Sequence, residues 1–357
     1  MPERVGFDKE KAQRFMQQVM KDVAASFHSA MSYIGDRLGI FKAIAASGPV
    51  TVEELAHRTG LQERYLREWL GSMVAAQYLE YDPKTSRYIL PPEHAAPLAD
   101  EDSPVFLASM FAGLLPHMAV APKVAEAFRT GGGVAQSEYP QELFAAMERM
   151  TAPMYKHYLI QQWLPALPDV MAKLSSGGSA LDVGCGSGRA AIKIAQAFPQ
   201  ARVFGFDRHA ASVERARANA RAAGLGENRI RFDVADCNQL PHSAFDFVTT
   251  FEVVHDAVDP LALVASIRNA LRPGGTYMMA EVNASSKVED NIHPMGRMLY
   301  SASTLYCMTT SLAEGGAGLG AAMGEAKARE LAHDAGFGHF RRLPIDHPFA
   351  ALYELKA

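Results

Sequence analysis

At 357 residues the chain is long enough for more than one hydrophobic core, because cores tend to split beyond roughly 250–300 residues. Its 48% hydrophobic and 21% charged residues argue against global disorder, and a net charge of −4 offers no general attraction to nucleic acid or an anionic membrane. No apolar run reaches the roughly 18–20 residues of a membrane span, residues 1–11 lack a signal-like apolar core, and Cys185, Cys237 and Cys307 are too scattered for a disulfide framework or a zinc motif, so a soluble cytoplasmic chain without metal is expected.

In chain order, residues 12–100 read as short helices followed by a small hairpin. Thr51 can cap a helix whose Glu54 completes a capping box, and Gly60 ends it. The next helix places Tyr65, Leu66, Trp69, Leu70, Met73 and Val74 on one face. Residues 78–81 and 87–90 then flank the turn Asp82-Pro-Lys-Thr85. Helix–turn–helix plus hairpin is a winged-helix pattern, and it sets a first domain at 1–100. DNA binding would need a net basic footprint, whereas Glu63, Arg64, Arg67 and Glu68 cancel one another. A pairing or lid module is the better expectation.

Residues 101–170 are helical and rich in methionine and aromatics, interrupted by Gly131-Gly-Gly133 and several prolines. They predict a connector that lines a substrate pocket. From 171 to 357 strand and helix alternate. Strands are expected at 180–183, 202–206, 230–234, 245–250, 276–282, 340–344 and 350–355, and helices at 190–197, 212–223, 260–270 and 325–335. That alternation predicts an α/β fold with a Rossmann-like, doubly wound sheet.

In such a sheet, ligands bind beyond the carboxyl ends of the strands. The first strand of this region ends in Asp182-Val-Gly184-Cys-Gly186-Ser-Gly188, directly before a helix. Glycines let the backbone approach a ligand, and the helix start offers free N–H groups to a carboxylate. The spacing is G-x-G-x-G with Arg189 following, so the G-x-G-x-x-G nucleotide fingerprint is not met. Phe206-Asp207-Arg208 ends the second strand, Asp236-Cys237 follows the third, and Phe251-Glu252 follows the fourth. A strand-end Asp can equally cap a helix.

The Asp-x-Gly-x-Gly-x-Gly form closely resembles the first motif of class I S-adenosylmethionine-dependent methyltransferases. The resemblance implies a seven-stranded sheet whose last two strands form a hairpin. It also implies S-adenosylmethionine as cofactor, held by Asp182, Gly184, Gly186, Gly188, Asp207, Arg208, Asp236, Cys237, Phe251 and Glu252. Asp207 would take the ribose hydroxyls and Asp236 the adenine amino group, with Cys237 against the ring.

Downstream, Glu252-Val-Val-His255-Asp256 looks like the His-Asp element of small-molecule O-methyltransferases, in which the histidine removes the acceptor's proton. Glu281 stands where those enzymes brace that histidine. Ala257 replaces the expected Trp, and Glu325 is only a candidate for a second bracing glutamate. A histidine base suits oxygen first and sulfur second, because neither is a good nucleophile until its proton leaves.

Residues 284–324 form an insertion whose 295–308 half is apolar enough for helix and whose glycine cluster 315–320 could act as a hinge. Together with Phe111, His117, Tyr155, Tyr300 and Met308 it suggests a pocket for a small, largely apolar methyl acceptor. Nucleic acid and membrane are not expected partners, and a homodimer is implied by resemblance. A cofactor-sensing regulator, or a non-methylating enzyme on the same fold, are the competing readings.

Overall fold

Asp8 starts the first helix by accepting the N–H of Lys11, and with neither proline nor glycine before Gly35 that helix runs from Lys9 to Arg37. The computed structural model describes residues 6–357 and divides the chain into two units. The N-terminal region thus opens with one long element where short helices were expected. Gly35 lets it pack closely, since a Cβ there would lie 2.5 Å from Trp69 Cζ2.

The first unit comprises the described residues up to Leu115 together with Glu142–Pro153. Helices Ile40–Ser47, Val52–Thr59 and Glu63–Ala75 bury Phe41, Ile44, Leu55, Leu66, Trp69, Leu70 and Met73 in one core. The Thr51–Glu54 capping box forms, and Gly60 closes that helix at φ 70°. Strands β1 (Glu80–Asp82) and β2 (Arg87–Ile89) pair antiparallel, and Val50 forms a single bridge to Tyr88. This is the winged helix. On helix Glu63–Ala75 Arg64 pairs with Glu68, and Arg67 with Glu63 and with Glu53 of the preceding helix.

The second unit contains Pro116–Gln141 and Met154–Ala357. The connector residues are therefore shared between the two units. Their Tyr155–Trp163 stretch is π-helical, a geometry that often marks functional segments.

The sheet of this unit consists of β3 (Ser179–Val183), β4 (Arg202–Asp207), β5 (Ile230–Val234), β6 (Phe245–Phe251), β7 (Leu271–Val282), β8 (His339–Arg342) and β9 (Ala350–Lys356). Its order is β5-β4-β3-β6-β7-β9-β8, parallel except where β9 pairs with β7 and β8. All but one strand begin within a residue of expectation. The exception, β7, starts at Leu271, ahead of a register shift opposite Phe245 and Phe247. Apolar clusters cover both faces, so β3 is buried at every position, as a central parallel strand should be. The chain leaves β3 towards β4 and β5, then returns to place β6 on the other side, and that reversal puts a crevice at the carboxyl ends of β3 and β6. Among the described residues no helix is long and apolar enough to cross a membrane.

Candidate active site

Three glycines in left-handed conformation carry the chain from β3 into helix Arg189–Ala197: Gly184 at φ 69°, Gly186 at 52° and Gly188 at 76°. Two are also required by packing. A Cβ at 184 would meet Val253 Cγ2 at 2.6 Å, and one at 188 would meet Phe232 Cζ at 2.6 Å. At Gly186 a Cβ would meet nothing within 4 Å, so this backbone borders open space that a ligand can enter. Asp182 lies buried beneath the turn, accepting Thr249 Oγ1 at 3.2 Å and the N–H of Ala191 in the following helix. Burial pushes its carboxyl up to about 7.

Asp207, at the end of β4, ties the neighbouring strand to this turn. One carboxylate oxygen accepts the N–H of Gly186 at 2.9 Å and the other that of His209 at 2.8 Å. Each oxygen retains a second lone pair. Arg208 is clasped by Glu314 through contacts of 2.5 and 2.7 Å. Beyond β5, exposed Asp236 accepts Asn238 N–H at 2.9 Å and Gln239 Nε2 at 3.2 Å. Burial raises the Cys237 thiol to about 11.

At the end of β6, Phe251 meets Tyr155 edge-on at 5.1 Å between ring centres. Glu252 is left-handed at φ 57°, its N–H donated to Ala280 O at 2.8 Å. That conformation costs a non-glycine residue on the order of 1–3 kcal/mol and tends to persist at functional sites. Burial lifts the Glu252 carboxyl to about 7, opposed by His255 and reinforced by Glu281 and Asp256.

Glu281, 3% exposed on β7, performs two tasks at once: Oε1 accepts the N–H of Val254 at 2.9 Å, and Oε2 takes His255 Nδ1 at 2.5 Å. Both carboxylate oxygens are used, so the ring is fixed with Nε2 facing away from Glu281. There Asp256 Oδ1 stands 3.2 Å from Nε2, outside hydrogen-bonding geometry, buried and without a hydrogen-bond partner. Burial alone would lower the His255 pKa, yet Asp256 and Glu281, with help from Cys307, raise it well above the ordinary histidine value.

The insertion supplies the remaining wall. Its helix Pro294–Leu305 breaks at Tyr306, where φ −145° and ψ −80° redirect the chain into helix Cys307–Ala313. Cys307 Sγ thereby joins ligand atoms of His255 and Asp256, all within 4.8 Å of one another. Within the glycine cluster, Gly316 allows close approach to neighbouring elements. A Cβ at Gly316 would meet Ser311 Oγ at 2.6 Å and Val258 Cα at 2.7 Å. Ala317 N–H is donated to Val258 O at 3.0 Å, and Ser311 Oγ–H to Ala257 O at 3.0 Å.

Of the residues expected to line a pocket, His117 meets the Tyr306 ring edge-on at 5.8 Å, and Tyr155 sits against Phe251. Met308 adjoins Cys307 in the chain. Tyr300, 37% exposed, accepts Asn291 Nδ2 at 3.0 Å. Phe111 belongs to the first unit and packs against its core. Glu325 pairs with Arg329 at 2.6 Å and Arg342 at 3.7 Å rather than with His255. Sequence reasoning missed Cys307, Tyr306 and Tyr139, whose rings meet at 5.1 Å in the case of the two tyrosines. No local spacing connects them to His255.

Comparison with known proteins identifies the two domains and the fold. Residues 174–336 match a family described as a methyltransferase domain, and residues 26–100 match an Rv2258c-like winged HTH domain. The 27-O-demethylrifamycin SV methyltransferase of Amycolatopsis mediterranei is 34% identical over 113 residues, covering 31% of this chain and 41% of the relative. The chain spans less than half the length of the curated relatives first matched, at 41%, 48% and 45%. The mitomycin 7-O-methyltransferase MmcR superposes with a TM-score of 0.70 at 18% identity over 98% of this chain and 100% of its own. Human N-acetylserotonin methyltransferase, in complex with S-adenosylmethionine, gives 0.68 at 21% identity over 99% of both chains. At those identities the likeness is one of fold. By its domain matches, sheet order and glycine turn, the chain carries a methyltransferase domain of the class I S-adenosylmethionine-dependent fold behind an N-terminal winged-helix domain.

Proposed function

We propose that this protein methylates a hydroxyl group of a small, largely apolar molecule, with His255 as general base. The observation that carries the reading is the double engagement of Glu281, which holds Nδ1 and leaves Nε2 as the proton acceptor. When bound, S-adenosylmethionine supplies a methyl group already activated by its sulfonium. The protein's work is then alignment and deprotonation. His255 Nε2 takes the hydroxyl proton, and Glu281 and Asp256 stabilise the imidazolium that results.

The glycine turn fits the cofactor, because open space lies beside Gly186 and the adjoining helix start suits a carboxylate. Asp207 keeps one lone pair on each oxygen for the ribose hydroxyls. Asp207→Ala is expected to weaken S-adenosylhomocysteine binding at least tenfold in calorimetry, and unchanged affinity would refute the ribose assignment. Asp182 supports the turn from below.

For the acceptor, Tyr155, Phe251, His117 and Tyr306 offer aromatic surface in the catalytic unit. A panel of phenols and aliphatic alcohols, scored by formation of S-adenosylhomocysteine and of the methylated product, tests the activity itself. Turnover with amines alone would contradict it.

We also propose a homodimer. Helix Lys9–Arg37 exposes Phe15, Met16, Val19, Met20, Val23 and Phe27, with Phe27 75% exposed, at helical spacing along one side. A continuous apolar strip of this kind marks an interaction surface. The Phe15→Glu/Phe27→Glu double variant is expected to fall from two chains to one by light scattering. A monomeric wild type would overturn the proposal. The paired arginines of the winged helix favour this pairing role over DNA contact.

A further inference from the structure

The geometry points to a binding site for a thiophilic divalent cation such as zinc, formed by His255 Nε2, a carboxylate oxygen of Asp256 and Cys307 Sγ, whose occupation disables the enzyme. The three donors lie within 4.8 Å of one another. Tetrahedral zinc bound to nitrogen, oxygen and sulfur needs donor separations of about 3.3–3.6 Å, from bond lengths of about 2.0–2.3 Å. Nε2 and Asp256 Oδ1 already stand 3.2 Å apart, and the thiol lies within 4.8 Å of its two partners. Imidazole, carboxylate and thiolate form a mixed set that zinc accepts, with the fourth position left to water or an acceptor oxygen.

Two independent features support the assignment. Asp256 Oδ1 is a buried carboxylate oxygen that meets no donor in hydrogen-bonding geometry, its carboxyl eased only by the nearby Cys307 thiol and His255. Such an orphan is costly unless something satisfies it. In addition, Glu281 holds the opposite ring nitrogen, and a carboxylate behind a histidine is the usual outer partner of a metal-bound imidazole. Chain spacing could not announce this set, because the cysteine comes from the insertion helix while the other two donors follow β6.

Coordination would displace the thiol proton and any proton on Nε2 to solvent. Cation binding follows from the donor set alone; the loss of turnover rests on His255 being the base. The test uses the full chain without an affinity tag, in a non-chelating phosphine reductant. Cobalt(II) titration of wild type is expected to produce a sulfur-to-cobalt charge-transfer absorption at one ion per chain. Cys307→Ala should lose that band and bind zinc at least tenfold more weakly, and Cys307→Ser should behave alike with a closer fit to the thiol's volume. Zinc should inhibit wild-type turnover, a chelator should restore it, and at least tenfold more zinc should be needed to inhibit either variant. No band in wild type, or a band that survives in both variants, overturns the site. If His255 proved dispensable for methylation, the cobalt spectrum would still appear, so the two failures are separable.

Discussion

His255→Gln is expected to lower kcat by roughly 10²–10⁴-fold while leaving S-adenosylhomocysteine affinity within a factor of two or three. Glutamine fills similar space and can hydrogen-bond, but it cannot accept a proton near neutral pH. The expectation extends to the pH profile. The base works only when unprotonated, and the pKa of His255 is raised, so wild-type kcat/KM should climb with pH from above about 6.5 and level off beyond the folded-state pKa. The variant should lose that climb. A His255→Gln enzyme with full rate and an unchanged profile would remove the proposed base, and intact cofactor affinity distinguishes lost chemistry from a collapsed fold.

Glu281→Gln should be almost as damaging, for a different reason. The carboxylate has two acceptor oxygens and spends one on the Val254 N–H and one on His255 Nδ1–H. Glutamine has a single oxygen. The backbone N–H cannot change its nature, so the amide oxygen goes to Val254 and the NH₂ group faces the imidazole. The ring must then offer Nδ1 as acceptor and carry its proton on Nε2, the atom needed as base. A wrong-tautomer histidine of this kind is expected to lower kcat by about 10²–10⁴-fold. A rate within threefold of wild type would rule out the tautomer argument.

Stability should report the same contact with a defined sign. A histidine whose pKa is raised on folding contributes stability that is fully present below its unfolded value of about 6.5 and is lost as pH rises through the folded value. The Tm deficit of Glu281→Gln should therefore be largest near pH 6 and shrink on alkaline titration.

The sheet was legible because buried parallel strands are continuous apolar runs punctuated by glycine and aspartate, and such runs survive in one dimension. The strand ends at the crevice were legible for the same reason: Gly184 and Glu252 directly follow strands, Asp207 ends one, and Asp236 lies two residues beyond another. The site's far wall was not. Cys307 and Tyr306 approach His255 only because a helix breaks at Tyr306, and neither that break nor its direction carries a residue signature. The long first helix was misjudged by dividing an unbroken polar-apolar pattern into pieces. Composition likewise carries no sign that Gly316 lies pressed against Ser311 and Val258.

Phe251 and Ala280 are register partners across β6 and β7, and Glu281 is the next residue along. Side chains alternate between the faces of a sheet, so a one-residue slip would turn this carboxylate to the opposite layer and release both groups it holds. The aim of the imidazole is therefore a property of strand pairing, proofread each time the sheet assembles. A chain that folds with the wrong register forfeits its histidine along with its core, whereas changes confined to the insertion helices can remodel the opposite wall without touching that alignment.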